Sequence, residues 1–165
     1  MKLRSVLCPI PVSQSTRDAL AEHILLIERS IQENSPRVLF YIRTFSAFTG
    51  RDYDYTWFKS FRDTITIEEF VAEASQPPPK RYADITTEEL IEIVRRALPG
   101  DESFEAEHAS FYVELFEANV NMRNAGDLLY FPPPWKSQNM AWNPTPEEIV
   151  EIALSFLPES AYIAI

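Results

Sequence analysis

The chain has 165 residues, 45% of them hydrophobic and 13% aromatic, which argues against a disordered polypeptide and leaves room for one domain or two small ones. No apolar run approaches the roughly 20 residues that span a bilayer, and prolines interrupt the opening MKLRSVLCPIPV, so we predict neither a membrane segment nor a signal peptide. The net charge of −10 comes from the second half, because residues 1–81 hold 11 Lys+Arg and 10 Asp+Glu whereas residues 82–165 hold 4 and 15.

This acidic excess argues against direct nucleic-acid binding by residues 82–165, because phosphates would be repelled. It suits a basic protein partner that approaches under electrostatic steering, although an acidic surface kept for solubility also explains it. The one cysteine, Cys8, excludes an internal disulfide and fits a cytoplasmic location, where we interpret it as a small buried apolar residue.

The first predicted element is a helix in SQSTRDALAEHILLIERSIQENS, where Leu20, Ile24, Ile27 and Ile31 recur at helical spacing. Next, RVLFYIRTFSAFT and DYDYTWFKSF are rich in aromatic and β-branched residues and flank a turn at Gly50. This composition predicts a hairpin of two β-strands.

A short helix in TIEEFVAEA follows, with Thr66 and Glu69 placed as a capping box. Residues 1–74 are therefore predicted to form a helix–β-hairpin–helix region of unknown role. Residues 75–81, with three consecutive prolines, read as a stiff connector to an acidic helical domain over residues 82–165. The predicted fold class is α+β.

Two helices of the second half carry clear boundary signals. DITTEELIEIVRRALPG begins at a Thr86 cap with Glu89 three residues later, and Pro99 with Gly100 ends it. NPTPEEIVEIALSFLP begins at a Thr145 cap followed by proline at the first helical position.

The segment between them, ESFEAEHASFYVELFEANVNMRNAG, is ambiguous. Phe111, Leu115, Ala118 and Met122 recur at helical spacing, whereas Phe111, Val113 and Leu115 also alternate as in a strand. Periodicity alone does not separate these two interpretations.

Catalytic patterns are weak in this sequence. His23 and His108 have no partner at ligand spacing, and Gly50, Gly100 and Gly126 stand too far apart to form a phosphate loop. Paired carboxylates lie at helix N-termini, where the helix dipole explains them. We therefore predict no metal, no cofactor and no enzymatic activity.

Exposed aromatic residues are predicted in GDLLYFPPPW, because three prolines end regular structure directly after Tyr130 and Phe131. If the preceding ambiguous segment is helical, Glu107, Glu114 and Glu117 share one broad face. An acidic face beside two exposed rings is typical of a protein-binding surface, while burial of the rings in a short strand is the alternative.

The order of these segments resembles the colicin and pyocin DNase immunity proteins. The resemblance rests on YADITTEELIEIVRRA, an acidic second segment, DLLYFP and TPEEIV, and covers roughly residues 82–158. It implies a small distorted four-helix bundle, with the second helix at about residues 102–121. It also implies a partner, a basic nuclease domain of a toxin, whose nucleic-acid-binding surface is masked.

The resemblance also implies the binding residues by position. Asp127, Tyr130 and Phe131 correspond to the shared anchors of the family, with phenylalanine in place of its second tyrosine. The second helix supplies partner-specific contacts, which fall on Ala109, Ser110, Val113, Glu114 and Glu117, beside the acidic Glu107 of the same predicted face.

Two regions depart from the family pattern. The loop over residues 133–143 is longer than usual, and its Trp135 and Trp142 either extend the interface or pack back onto the bundle. Residues 1–80 have no counterpart in the small family members. The sequence leaves the oligomeric state and the nuclease class of the toxin open.

Two other functions remain open at this stage. One is a non-enzymatic adaptor that reuses the same bundle. The other is a small enzyme with its site in the predicted hairpin region, for which the candidate residues are Tyr53, Asp54, Tyr55, Trp57 and Lys59.

Overall fold

The computed structural model describes residues 2–136 and 142–156. In these residues the chain forms seven α-helices and several short 3₁₀ turns. The helices are α1 (Gln14–Gln32), α2 (Val38–Thr49), α3 (Tyr55–Ser60), α4 (Ile67–Ala74), α5 (Thr87–Ala97), α6 (Ala109–Asn119) and α7 (Pro146–Leu154). The described residues contain no β-strand, so the predicted α+β class is wrong.

The contacts within the chain define two compact units. One comprises Pro9–Pro78 and is called the inserted unit here. The other comprises Met1–Cys8 together with Pro79–Ile165 and is called the C-terminal unit. The chain therefore begins in one unit, forms the other and then returns.

The predicted hairpin is the pair α2–α3. Ile42 and Phe45 of α2 are both buried and lie three residues apart, which is a helical spacing and not a strand alternation. Gly50 has a left-handed backbone with φ of 70° and ends α2 as its C-cap. Asp54 then caps α3, because its carboxylate accepts a hydrogen bond from the backbone N–H of Trp57 at 2.7 Å.

The core of the inserted unit explains why helices prevail over the β-propensity of this region. The ring of Phe45 is fully buried, and its centroid lies 5.4 Å from those of Tyr53 and Phe58 and 5.7 Å from that of Phe70. These edge-on and tilted ring contacts are favourable, and the rings come from three separate segments of the chain. Tertiary packing thus overrides local preference.

Helix boundaries elsewhere agree with the sequence. The predicted capping boxes Thr66–Glu69 and Thr86–Glu89 are both formed, with side chain and backbone bonded reciprocally. Thr145 also forms one with Glu148, directly before the proline in the first turn of α7. The predictions for α4, α5 and the start of α7 are confirmed.

The ambiguous segment is helical. A 3₁₀ turn at Ala106–His108 leads into α6, which is shorter than the predicted 102–121. Phe111, Tyr112, Leu115 and Phe116 of α6 are buried in the C-terminal unit. Tyr112 and Phe116 were not part of the predicted stripe, so α6 buries a broad face.

Residues before Pro9 pack into the core of the C-terminal unit. Leu3 is 4% exposed and Leu7 is fully buried there. The guanidinium of Arg4 donates two hydrogen bonds to Glu89, at 2.6 and 2.9 Å, and one to Asp84 at 2.6 Å. This segment is therefore an integral part of the unit that carries α5–α7.

None of the helices in the described part of the chain combines the length and the apolar character needed to cross a membrane.

Candidate protein-binding site

A single 3₁₀ turn, Ala125–Leu129, presents the two aromatic residues singled out in the sequence. Leu128 and Leu129 point into the core, whereas Asp127 is exposed in the first turn. The backbone N–H groups of Tyr130 and Phe131 both donate to the carbonyl oxygen of Asp127, at 3.0 and 2.8 Å. Helical structure ends there, and the Tyr130 and Phe131 side chains are 53% and 64% exposed.

The turn is fastened to α6 at Gly126. The carboxylate of Glu117 accepts a hydrogen bond from the backbone N–H of Gly126 at 3.0 Å. A Cβ atom on Gly126 would lie 2.6 Å from Cγ1 of Val113, closer than side chains tolerate. Glycine therefore allows the turn to lie directly against α6, and Val113 and Glu117 adjoin the turn that carries the rings.

The remaining proposed binding residues of α6 reach solvent to different degrees. Ser110 is exposed, as is Glu107 in the preceding 3₁₀ turn, while Ala109, Val113, Glu114 and Glu117 are half-buried. Val113 and Glu114 each lie three or four residues from both Ser110 and Glu117, so the four residues share one face of the helix. The structure thus places α6 and the 125–131 segment side by side; the binding role of these residues stays a prediction.

The opposite side of α6 is fixed by a partly buried polar network. Arg96 of α5 donates to Glu105 at 2.6 Å and to the hydroxyl of Tyr112 at 3.3 Å, and that hydroxyl donates to Glu105 at 3.2 Å. Burial raises the pKa of Tyr112 to about 12, so the hydroxyl remains a proton donor at neutral pH. These bonds hold the start of α6 against α5.

Asn119 fixes the other end of α6, and it was not recognised in the sequence. Its amide nitrogen donates to the carbonyls of Lys80 and Leu115 at 2.9 and 2.8 Å, and its oxygen accepts from the Tyr82 N–H at 2.7 Å. Hydrogen bonds therefore hold both ends of α6 in place. The role of Asn119 follows from the burial of its side chain, which the sequence around this residue does not indicate.

The two tryptophans of the long loop behave differently. The indole N–H of Trp142 donates to the carbonyl of Leu128 at 2.8 Å, so this ring packs back against the 3₁₀ turn. Trp135 is 59% exposed. The prediction for the whole 133–143 loop concerns residues 137–141 as well, and these lie outside the described residues.

Three of the five residues considered for an enzyme site have structural roles. Asp54 caps α3, and Tyr53 and Trp57 pack against the core of the inserted unit with their rings stacked at 6.3 Å. Tyr55 and Lys59 are exposed on α3. Among the described residues, no group of three or more His, Cys, Asp or Glu side chains is arranged to hold a metal ion.

The candidate site lies within a segment of the chain that matches a known protein family. Residues 82–157 match the family model "Colicin immunity protein / pyocin immunity protein". The resemblance is thereby confirmed for this part of the chain, which contains α5, α6, the 125–129 turn and α7. It points to a toxin-neutralising immunity protein. No curated protein and no solved structure matches the chain.

Proposed function

We propose that the protein neutralises a nuclease-type bacterial toxin by binding the toxin's basic nuclease domain and masking its nucleic-acid-binding surface. Binding uses the acidic face of α6 together with the rings of Tyr130 and Phe131, and involves no catalysis by this chain. The proposed site of action is the cytoplasm, where such a toxin would meet nucleic acid.

One observation carries the proposal: Tyr130 and Phe131 are more than half exposed, on a turn that two buried leucines and the Glu117–Gly126 hydrogen bond hold in place. Large exposed aromatic side chains on a rigid support are the residues that dominate binding energy at protein interfaces. Because the turn is already ordered, little conformational entropy is lost when a partner covers the rings.

Charge supports the choice of a basic partner. Residues 82–165 hold 15 acidic and 4 basic side chains. Glu114, Glu117 and Asp127 belong to the two elements of the site, and Glu107 lies in the 3₁₀ turn directly before α6. A cationic nuclease domain would be attracted from a distance, which raises the association rate more than it lowers the dissociation rate.

The test first requires a toxin reading frame with a basic C-terminal domain beside the gene of this protein, and then uses that purified nuclease domain. The purified full-length protein should suppress its nuclease activity at equimolar concentration. The association rate should fall steeply between low and physiological ionic strength, because screening weakens attraction between separated charges. Loss of inhibition, or a rate independent of salt, would count against the proposed mode of binding.

Tyr130→Ala isolates the contribution of the anchor. We expect it to weaken binding by about 2 kcal/mol or more, or roughly 30-fold in Kd. Tyr55→Ala is the matched control, because Tyr55 is a partly exposed tyrosine of the inserted unit. It should leave the affinity unchanged.

A further inference from the structure

The exposed apolar surface of the C-terminal unit is concentrated in one short stretch. In its described residues the exposed large apolar side chains are Val6, Tyr130, Phe131, Trp135 and Leu154. Three of these five lie within six consecutive residues. Four residues of chain span at most about 14 Å, so Trp135 lies within one standard protein–protein interface patch around Phe131.

Trp135 is held in position from both sides. Its ring centroid lies 5.7 Å from that of Phe156, with the planes inclined by 38°. A hydrogen bond of 2.9 Å from the Lys136 N–H to the Pro133 carbonyl closes the turn around it. Three prolines precede it, and each fixes its own φ angle. The indole is therefore presented to solvent in a restricted conformation.

Nothing in the packing of the fold requires Trp135 to be exposed. Trp142 shows the alternative, since its indole is half-buried and bonded to the carbonyl of Leu128. A tryptophan exposed at 59% is costly in water and contributes little to the core. Like Tyr130 and Phe131, Trp135 is therefore a candidate for contact with a partner.

We infer that Trp135 is a third anchor of the toxin-binding surface and inserts into an apolar depression on the basic nuclease domain, beside the contact made by Tyr130 and Phe131. The inference rests on the proposed function. Phe40 and Phe48 of α2 are exposed as well. They are a poorer match to a basic partner, because α2 carries Arg43 and no acidic residue.

The first experiment measures binding of the same nuclease domain to the full-length protein and to Trp135→Ala. We expect Kd to rise about tenfold or more, mainly through faster dissociation, because a desolvated anchor acts after encounter. Phe40→Ala is the matched control, since Phe40 is 65% exposed but lies in the inserted unit. It should change Kd by less than about twofold.

A second measurement does not depend on a variant's stability. The protein is labelled with 5-fluorotryptophan, the ¹⁹F resonance of Trp135 is assigned with Trp135→Phe, and unlabelled nuclease domain is added. The Trp135 resonance should shift on saturation while that of Trp57, in the inserted unit, stays in place.

Distinct outcomes separate the inference from the proposed function. If Tyr130→Ala weakens binding while Trp135→Ala binds like the wild type and the Trp135 resonance does not move, the inference is overturned and the proposed function stands. If the wild-type protein does not bind the nuclease domain, both fail. An equal loss in Phe40→Ala would also overturn the inference, because the effect would then be general to exposed rings.

Discussion

At the scale of single residues, the position of the binding turn depends on the missing side chain of Gly126. We expect Gly126→Ala to destabilise the C-terminal unit by about 1–3 kcal/mol, as overpacking does. The added Cβ would lie 2.6 Å from Cγ1 of Val113, a residue whose side chain has little rotational freedom in a helix. Denaturant unfolding followed by tryptophan fluorescence in a Trp57→Phe background reports this unit alone, because Trp135 and Trp142 both belong to it.

Val113→Ala supplies the control for this prediction. Removing Cγ1 makes room for the new methyl group, so Gly126→Ala should cost clearly less in the Val113→Ala background. Simple additivity of the two substitutions would show that the Val113 contact is not the cause, and would leave the Glu117 carboxylate oxygen, 2.9 Å from the same Cβ position, as the obstacle. The close approach itself was not predictable from the sequence, since glycine before Asp127 equally fits an ordinary turn.

The ion pair of Arg4 gives the C-terminal unit a defined response to pH. Hydrogen bonds from Arg4 hold the pKa of Glu89 below its usual range, and they do the same for Asp84. The unfolded state therefore binds protons first on acidification. The stabilisation is fully present above the ordinary glutamate pKa, about 4.3, and is lost as the pH falls through the folded-state pKa.

We expect Arg4→Met to lower the unfolding midpoint at pH 7, and the difference from wild type to shrink to less than about half at pH 3. Urea unfolding at a series of pH values measures this. Arg62→Met is the matched control, because Arg62 forms a similar bidentate pair with Glu28 in the inserted unit. It should leave the C-terminal unit unaffected at every pH, and a pH-independent Arg4 effect would contradict the linkage.

At the scale of elements, local signals predicted the helices with capping boxes and failed where composition was the only evidence. Thr66, Thr86 and Thr145 each carry a boundary with a specific hydrogen bond, so α4, α5 and α7 were placed correctly. The β-hairpin prediction for the α2–α3 region was wrong, because aromatic and β-branched residues also form helices when their side chains pack into an aromatic core. The sequence did contain two signals for helices, namely Gly50 as the C-cap of α2 and Asp54 as the N-cap of α3.

The uneven burial of the α2 side chains makes a testable prediction. Phe45→Ala should destabilise the inserted unit by about 3–5 kcal/mol, because it removes a fully buried ring from a cluster of aromatic contacts. Phe48→Ala, three residues along the same helix, should cost less than about 0.5 kcal/mol, since Phe48 is 62% exposed. Fluorescence of Trp57 follows this unit, and comparable losses in both variants would contradict the burial.

The arrangement of the proposed binding residues was predictable in part for a physical reason. The prolines after Phe131 predicted the end of regular structure. Acidic residues at helical spacing indicated one face of α6, and Ser110, Val113, Glu114 and Glu117 lie on that face. The sequence could not show which of the two loop tryptophans faces solvent. That depends on the Trp142–Leu128 hydrogen bond, a contact between residues 14 positions apart.

At the scale of the whole molecule, the arginines of the C-terminal unit compensate acids around α5. Arg96 pairs with Glu92 and Glu105, and Arg95 with Glu147 at the start of α7. These pairs tie α5 to its neighbours, while the site elements contribute four further acids to a strongly negative unit. The acids of the proposed site add to this negative charge, and Glu117 also supports the fold through the hydrogen bond that it accepts from the Gly126 N–H.

The inserted unit can be excised without losing residues 1–8, because the chain enters and leaves this unit at neighbouring points. The side chain of Gln76 accepts from the N–H of Ile10 at 2.8 Å and donates to its carbonyl at 3.1 Å, so the two ends of the insert lie together. A Gly/Ser linker of about four residues, reaching roughly 13 Å, should join Ile10 to Gln76 after excision of residues 11–75.

We expect this excised protein to keep α5–α7 folded and to retain toxin binding. Deletion of residues 1–78 should instead destabilise the unit by about 3 kcal/mol or more, because the buried side chains of Leu3 and Leu7 are each worth roughly 1.5–3 kcal/mol and the Arg4 ion pairs are lost with them. Urea unfolding monitored by Trp135 and Trp142 compares the two proteins directly. Equal stability would mean that residues 1–8 pack on the unit without supporting it. Loss of toxin binding by an excised protein that keeps its stability would assign part of the interface to the inserted unit.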